Sequence, residues 1–255
     1  MLKICALASG SNGNCYYIGN EEEAILIDVG ISARQVMMRM KDKGLAPETL
    51  RSVFISHEHR DHVRGVRVLC KKLDIPAYYS KKTYESVNRT YQSLAARFFQ
   101  PGISTREGAF TIYPFLKNHD AREPCSFRVE YKGLSVGVFT DIGEPCGNVT
   151  AELSKCHALF LESNYDEEML WNGTYPAHLK RRVASGIGHL SNKQAYELLN
   201  KFANPGLQCI FMSHLSGENN TPGHAFSELE PLKARFDIKL AGRYMPSEVY
   251  DLWAV

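Results

Sequence analysis

The sequence predicts an α/β protein built as a four-layer αββα sandwich, in which two mixed sheets pack face to face beneath outer helices. Strand-like segments open each half of the chain, and each group of strands is followed by segments with helical periodicity. A length of 255 residues is sufficient for a sizeable core. Because no Pro/Ser-rich linker or change of composition divides the chain, we expect residues 1–255 to form a single domain.

The first half contains short β-branched and aromatic runs separated by turn residues. The turn Gly10–Asn14 and the acidic run Glu21–Glu23 divide the first three of these runs. We expect strands, in order, at Leu2–Leu7, Cys15–Ile18, Ala24–Asp28 and Val53–Ser56. Apolar residues at helical spacing predict helices at Ser32–Lys43, Val63–Leu73 and Lys81–Tyr91.

The second half repeats this alternation of strand and helix patterns. Strands are expected at Phe110–Pro114, Ser126–Tyr131, Leu134–Thr140, Ala158–Leu161, Leu207–Met212 and Val249–Leu252. Helices are expected at Asp166–Trp171, Pro176–Ala184, Asn192–Phe202 and Pro222–Arg235, the last with Thr221 as its N-cap. In such a sandwich, ligands collect where strand ends and their loops converge along one edge.

The composition is that of an ordinary globular protein, with 44% hydrophobic and 23% charged residues. A net charge of +2 is too small to indicate nucleic-acid binding by itself. Seven scattered cysteines without a Cys-x-x-Cys pair favour reduced thiols over disulfides. Since no apolar run approaches the roughly 20 residues that span a membrane, we expect a soluble, cytoplasmic protein without a membrane partner.

The segment His57-Glu58-His59-Arg60-Asp61-His62 is the strongest functional signal in the chain. Three imidazoles and a carboxylate at this spacing are typical of metal ligands. The preceding strand pattern places His57 and His59 on one side by period-2 alternation, whereas Asp61 and His62 begin the following helix. One short run can therefore serve two adjacent ions.

Four further residues follow strand patterns and are expected at the same edge of the fold. Taken singly, an Asp or His in such a position is more typical of a turn or a cap than of a metal ligand. Taken with the histidine run, they form a consistent set of candidates: Asp28, His119, Asp141 and His214.

These motifs make the chain similar to the metallo-β-lactamase-fold hydrolases over nearly its whole length. The resemblance lies in Leu26-Ile27-Asp28-Val29-Gly30, the His57–His62 run, His119, Phe139-Thr140-Asp141-Ile142-Gly143 and His214. It implies a dinuclear site in which Asp141 bridges the two ions. The resemblance assigns one ion to His57, His59 and His119, and the other to Asp61, His62 and His214.

Longer strings resemble the YycJ/WalJ-like group of that superfamily. They are Ala8–Asn14, His119–Pro124, Gly188–Asn192 and Ser213–Ser216. Members of that group are taken to be DNA exonucleases that degrade from the 5′ end, so the resemblance implies a 5′→3′ exonuclease with DNA as its partner. The chain departs from the usual residues of the group at Arg60 and Cys125, neither of which belongs to the implied ligand set.

Nitrogen and oxygen ligands without a thiolate favour two divalent ions, Zn²⁺ or Mn²⁺. Two ions about 3.5–4 Å apart can stabilise the attacking and leaving oxygens of a displacement, and coordination lowers the pKa of water from about 15.7 to about 7. Hydroxide produced in this way is the expected nucleophile for phosphodiester cleavage. We expect the catalytic residues to be Asp61, Asp141 and His189.

Two of the candidate residues have an alternative structural role. The resemblance places His189 opposite the scissile phosphate, but this histidine could instead cap the helix that begins near Asn192. Asp28 is expected to orient a liganding histidine without touching metal, or else to cap its own loop. Glu162 follows a strand pattern and is left out of the catalytic set, either as a buried acid or as a strand-end charge.

Two segments are candidates for contacts to a substrate phosphate. The loop that follows the first strand offers backbone N–H groups and small polar side chains, but it could serve only as a tight turn. A basic triplet in the second half could follow a nucleic-acid backbone, but it could also be a solvated helix face. The candidates are Ser11, Asn12, Asn14, Lys180, Arg181 and Arg182.

The function expected from these patterns is metal-dependent hydrolysis of phosphodiester bonds in nucleic acid. The alternatives are a small-molecule or cyclic-nucleotide phosphodiesterase, a thioester or lactam hydrolase of the same fold, and a metal-stabilised scaffold without activity. A continuous basic path to the metals would favour a polymer, whereas a closed lid over a small cavity would favour a small molecule. Replacing His189 should impair phosphodiester cleavage more than carbonyl hydrolysis.

Overall fold

Two seven-stranded mixed sheets form the centre of the protein, as seen in a computed structural model that describes residues 1–254. The strands of the first sheet are β1 (Leu2–Ala8), β2 (Cys15–Gly19), β3 (Ala24–Ile27), β4 (Leu50–Phe54), β5 (Ala77–Tyr79), β6 (Ala96–Phe98) and β14 (Tyr250–Leu252). Their order across the sheet is β14-β1-β2-β3-β4-β5-β6. The last strand of the chain thus returns to pair with the first.

The second sheet is built from the following segment of the chain. Its strands are β7 (Thr105–Glu107), β8 (Phe110–Leu116), β9 (Cys125–Tyr131), β10 (Leu134–Phe139), β11 (Ala158–Glu162), β12 (Cys209–Ser213) and β13 (Asp237–Leu240). Their order is β13-β12-β11-β10-β9-β8-β7. In both sheets antiparallel pairing gives way to parallel pairing, at β3–β4 in the first and at β10–β11 in the second.

Nine α-helices lie in residues 1–254. They are α1 (Ala33–Asp42), α2 (Arg60–Val63), α3 (Val66–Leu73), α4 (Lys81–Ser86), α5 (Gly147–Leu153), α6 (Glu167–Asn172), α7 (Ala177–Val183), α8 (Asn192–Phe202) and α9 (Pro222–Leu229), with 3₁₀ turns at Pro47–Thr49 and Glu230–Leu232. None of the helices in this part of the chain is long and apolar enough to cross a bilayer.

Three large apolar clusters confirm the four-layer arrangement. The central cluster joins the facing sides of both sheets, for example Ile27 and Phe54 of the first with Phe127 and Phe160 of the second. A second cluster packs α1 and α3 on the outer face of the first sheet. A third packs α5, α8 and α9 on the outer face of the second. Alternate residues of each strand point to the central cluster and to an outer cluster, so the strands are buried on both faces of their sheet.

Some long apolar patterns are confirmed closely, but the helix expected at Pro222–Arg235 ends at Leu229 and is followed by the 3₁₀ turn Glu230–Leu232. Helix α8 has the expected bounds, and Thr221 caps α9 as expected by accepting a hydrogen bond from the His224 amide. The helix expected at Val63–Leu73 is instead divided into α2 and α3. The cause is the Gly65 amide, which donates to the carbonyl of Val29 at 2.8 Å. This contact ties the start of α3 to the loop after β3.

Other differences concern short or weakly patterned segments. Helix α4 ends at Ser86 rather than at residue 91, because Val87 is buried in an extended conformation. The sequence pattern missed β5, β6, β7 and β13, which have three or four residues each and are too short to show alternation. It also missed α5, whose glycine, asparagine and threonine are poor helix formers and which is held by buried Val149 and Leu153.

Candidate metal centre

The candidate residues meet at one edge of the sandwich because their strands end there. Asp28 follows β3, and the His57–His62 run joins β4 to α2. On the facing sheet, His119 follows β8, Asp141 follows β10 and His214 follows β12. Strands β3 and β4 are parallel, as are β10, β11 and β12, so their carboxyl ends point to the same edge. Both sheets therefore contribute to one cluster.

The first group of possible ligands consists of His57, His59 and His119. Each offers a ring nitrogen, and these nitrogens lie within 4.8 Å of one another. The distance from His57 Nε2 to His59 Nδ1 is 3.0 Å. This contact is a hydrogen bond if one of the two nitrogens is protonated, and if neither is protonated, nitrogens this close suit a shared ion.

The second group consists of Asp61, His62 and His214. The Nε2 atom of His62 lies 3.4 Å from Asp61 Oδ2, and that of His214 lies 3.8 Å from the same oxygen. Both histidines are buried, whereas Asp61 is half-buried at the border of the cluster. These atoms also lie within 4.8 Å of one another.

Asp141 lies between the two groups. Its Oδ2 atom is 3.2 Å from His62 Nε2, and its Oδ1 atom is 3.4 Å from His214 Nε2 and 3.9 Å from His119 Nε2. The carboxylate thus approaches ligand nitrogens of both groups, more closely those of the second, and a carboxylate placed in this way can bridge two ions. The structure thus brings together all seven residues that the sequence analysis considered as ligands.

Hydrogen bonds to the outer ring nitrogens orient the histidines. Asp28 Oδ2 accepts from His62 Nδ1 at 2.7 Å, and the same carboxylate accepts from the Ser56 amide at 2.8 Å and hydroxyl at 2.7 Å. His119 Nδ1 donates to the carbonyl of Gly188 at 3.0 Å. When such a ring is neutral, a proton on Nδ1 leaves Nε2 unprotonated and directed at the cluster, which is the tautomer that binds metal.

Glu162 is the functional residue that the sequence analysis left out. Its Oε1 accepts from His189 Nδ1 at 2.8 Å and from His214 Nδ1 at 2.9 Å, and its Oε2 accepts from the amides of Ile142 and Leu190. All four partners are donors, so the carboxylate orients two histidines. Glu162 also belongs, with Asp141, His189 and His214, to a group whose ligand atoms lie within 4.8 Å of one another. The available signal was its place at the end of β11, between the strands that precede Asp141 and His214.

The two groups differ in their charge. Burial lowers the pKa of His119 to about 4 and lowers the pKa of His57 well below its usual value. Burial acts in the same direction on His62 and His214, but facing carboxylates, Asp141 foremost, raise the pKa of His214 to about 10 and that of His62 well above its usual value. Without metal, His57 and His119 are neutral at pH 7 and the other two histidines are charged.

Unpaired buried atoms show that the cluster fits a divalent cation. Within residues 1–254, His119 Nε2, His214 Nε2 and Asp141 Oδ2 are buried without any hydrogen-bond partner. Buried polar atoms nearly always have partners, and three unpaired ones directed at a common region suit coordination to a cation. The donors are nitrogen and carboxylate oxygen, a set that suits Zn²⁺ or Mn²⁺.

A cleft of about 230 Å³ opens above the cluster. His189 and Arg182 line it together with His119, Asp141 and His214. The expected alternative that His189 caps α8 is wrong, because Ser191 is the N-cap and accepts from the amide of residue 194. Since His189 Nδ1 donates to Glu162, its Nε2 is free for a bound substrate.

The residues predicted to contact a substrate phosphate lie in different parts of the structure. Ser11, together with Arg182, lines the cleft, whereas exposed Asn12 lines a neighbouring depression and Arg181 is exposed on α7. Lys180 donates to the carbonyl of Trp171 at 2.7 Å. Asn14 requires correction as a phosphate contact, because its side chain is fully buried and bonds to Gly10, Asp61 and His62. It fixes the loop against the cluster.

Three residues of the centre have left-handed backbone conformations. The φ angles are 61° at Asp28, 53° at Asp141 and 55° at His214, and each residue lies within two positions of the end of a strand. Such angles are uncommon for residues other than glycine and are found mainly where surrounding contacts enforce them. The backbone therefore turns sharply at each strand end, which directs these three side chains into the cluster.

The fold and the centre together define the class of protein. The chain belongs to the metallo-beta-lactamase superfamily, whose family model matches residues 8–214. Membership of this superfamily, together with the ligand geometry, makes the protein a metal-dependent hydrolase. The resemblance drawn from the motifs is confirmed.

Similarity to particular proteins supports the YycJ/WalJ-like group. The chain is 31% identical over 222 residues to exodeoxyribonuclease YycJ of Bacillus anthracis, covering 86% of this chain and 84% of the relative. It is 31% identical over 254 residues to exodeoxyribonuclease WalJ of Streptococcus pneumoniae serotype 2, covering 98% and 93%. The solved structure of YhfI from Bacillus subtilis, a metallo-beta-lactamase fold protein, has the same fold, with 16% identity, coverage of 98% of both chains and a TM-score of 0.72.

Proposed function

We propose that this protein is a dinuclear phosphodiesterase that degrades DNA as an exonuclease, in the 5′→3′ direction. The observation that carries the proposal is the position of Asp141, whose carboxylate lies within 3.9 Å of ligand nitrogens from both groups, His62 and His214 of one and His119 of the other. The names of the relatives, exodeoxyribonucleases YycJ and WalJ, support the choice of DNA. The direction of digestion follows from the resemblance described above.

His57, His59 and His119 would hold one ion, Asp61, His62 and His214 the other, and Asp141 would bridge them. Two bound divalent ions, Zn²⁺ or Mn²⁺, would activate water as a nucleophile and neutralise charge on the phosphate. His189 extends into the cleft with Nδ1 bonded to Glu162, so its Nε2 is an acceptor when the ring is neutral and, when the ring is protonated, can donate a hydrogen bond or a proton to the leaving oxygen. Arg182 at the wall of the same cleft can contact a phosphate oxygen.

The state of the cysteines supports a proposal about where in the cell the protein is located. The seven cysteines are free, and six of them are buried. Free thiols are typical of reducing compartments, which supports a cytoplasmic location.

Because the central apolar cluster contains residues of both sheets, we propose that the chain acts as one domain.

The proposal is tested by incubating metal-loaded protein with end-labelled DNA, RNA and cyclic nucleotides, with Asp141→Asn as the inactive control. Stepwise loss of nucleotides from the 5′ end of DNA is the expected result. Cleavage of cyclic nucleotides alone, or hydrolysis of a thioester with no cleavage of any phosphodiester, would contradict it. In the carbonyl case His189→Gln should have a small effect, whereas it should reduce phosphodiester cleavage by about 10²–10⁴-fold.

A further inference from the structure

A second depression of about 470 Å³ adjoins the cleft above the metal centre. The two cavities share Ser11 and Asp61 in their walls, so a chain-like ligand can occupy both. We call this second depression the arginine groove, because three guanidinium groups dominate its wall. They belong to Arg60, Arg64 and Arg243. The mechanism proposed above makes no use of them.

The arginine groove has an excess of uncompensated positive charge. A fourth arginine, Arg39, also lines it, and Asp61 is the only carboxylate in its wall. Within residues 1–254, none of the four arginines has a carboxylate within 4.0 Å. Since Asp61 belongs to the metal cluster, its charge would be offset by an ion. Such a surface favours a polyanion.

The hydrogen bonds of these arginines leave most of their donors free. Arg64 donates once, to the Asn12 carbonyl at 3.2 Å, and Arg243 donates to Asn12 Oδ1 at 3.1 Å and to the Leu215 carbonyl at 2.6 Å. Arg60 is exposed and, among the residues described, its side chain has no partner. Buried Arg39 differs from these three arginines, because both of its terminal nitrogens donate hydrogen bonds, one to the carbonyl of Leu7 and one to that of Tyr244. A guanidinium has five N–H donors, so the groove keeps donors for phosphate oxygens.

An aromatic side chain lies beside these charges. Tyr244 lines the depression and is 71% exposed, although large hydrophobic residues usually lose most of their surface on folding. Its backbone carbonyl is held by Arg39, which fixes the position of the residue. Guanidinium groups next to an exposed aromatic ring are the combination that binds the backbone and an unpaired base of a single strand.

We propose that the arginine groove binds a phosphate of the polynucleotide substrate next to the scissile one, while Tyr244 stacks on an unpaired base. This inference rests on the proposed function and identifies the substrate as a single-stranded end or segment. The phosphate could come from two sources, a terminal 5′-phosphate or an internal phosphodiester. Both present the same oxygens to the groove.

The test is binding of short 3′-fluorescein oligothymidylate in the presence of EDTA, where no hydrolysis occurs, followed by fluorescence anisotropy over a range of salt concentrations. Arg60→Gln should raise Kd and reduce the slope of log Kd against log salt by about 0.7. Tyr244→Ala should raise Kd about fivefold or more, and Tyr244→Phe should restore binding. The matched control is Arg106→Gln, which removes an exposed arginine from β7 on the other sheet.

The outcomes separate the two proposals. If Arg60→Gln and Tyr244→Ala bind the oligonucleotide like Arg106→Gln, the groove is not a binding site and the inference is wrong, whatever the enzyme cleaves. If binding depends on the groove but metal-loaded wild type cleaves no DNA, the proposed function fails and the groove remains. If the wild type binds 5′-phosphate oligonucleotides more tightly than 5′-hydroxyl ones and Arg60→Gln loses this preference, the groove binds the terminal phosphate. If Arg60→Gln weakens the binding of both oligonucleotides equally, the groove binds an internal phosphate. Either result supports the inference.

Discussion

Asp141 combines a position between the two ligand groups with a left-handed backbone, and this combination determines which substitution is informative. Asparagine has the same shape and tolerates a φ of 53°, so Asp141→Asn should fold while losing the charge that joins both groups. We expect loss of metal and a decrease in activity of about a thousandfold or more. Metal content by mass spectrometry and initial rates measure these effects.

A matched control is Asp74→Asn. Asp74 also has a left-handed backbone, with φ 53°, but it ends α3 and is exposed. It should retain full metal content and activity. If both variants retained two ions, the bridging position assigned to Asp141 would be wrong.

Glu162 is expected to act on metal affinity through the histidines that it orients. In Glu162→Gln the new amide NH₂ would face only donors, namely the amides of Ile142 and Leu190 or the rings of His189 and His214. We expect metal affinity to fall by about 10–100-fold, measured by competition with a chromophoric chelator. Glu130→Gln, which changes an acid at the opposite end of the second sheet, should leave the affinity unaltered.

The charged histidines predict that metal loading depends on pH. The pKa of His214 is raised to about 10, so this ring carries a proton at pH 7 that an ion must displace. Apparent affinity should therefore increase as pH rises from 6 toward 9, by up to about tenfold per pH unit for each displaced proton. Calorimetric titration in two buffers of different ionisation enthalpy counts the protons. His214→Asn should release one proton fewer, and a pH-independent affinity would contradict the assignment.

Among the elements, the loop after β3 and the loop after β4 depend on a close backbone contact. A Cβ atom at Gly30 would lie 1.6 Å from the carbonyl oxygen of Asp61. Because this neighbour is backbone, Gly30→Ala must displace the segment that carries Asp61 and His62. We expect a lower melting temperature and loss of the ion held by this segment, measured by thermal unfolding and metal analysis. Gly147→Ala, where a Cβ atom meets nothing within 4 Å, is the control.

The element scale also shows which parts of the structure a sequence can predict. Long apolar patterns such as β8 and α8 were predicted because their period is visible in the residues themselves. The strands β5 and β6 were missed because three residues reveal no period, and their conformation comes from pairing, of β5 with β4 and of β6 with β5. The ligand residues were predicted from one dense motif and from strand ends. Glu162 was missed because its partners lie 27 and 52 positions away in the chain, at distances that no local pattern encodes.

In the molecule as a whole, each of the two proposed ion positions would take ligands from both sheets. His57 and His59 belong to the first sheet and His119 to the second, while Asp61 and His62 belong to the first and His214 to the second. Bound ions should therefore stabilise the packing of one sheet on the other. At a free metal concentration about 100 times Kd, the gain is about 2.7 kcal/mol per ion.

This gain should raise the melting temperature by about 5–10 °C for each ion in a chain of this size. Calorimetric scans with and without chelator measure the shift, and a single transition is expected in both cases if the chain acts as one domain. Asp141→Asn provides the comparison, because its melting temperature should respond weakly to added metal. Equal shifts in both proteins would mean that ions bind elsewhere.

The division of ligands between the two sheets also has a consequence for biogenesis. During synthesis on the ribosome, residues 57–62 emerge long before His119, and His214 follows much later. Neither proposed ion position can have its full set of ligands until His119 or His214 has been translated. Metal binding can therefore be completed only late in synthesis. Protein synthesised without metal should keep its two sheets packed through the central apolar cluster but lack the coordination that joins their edges.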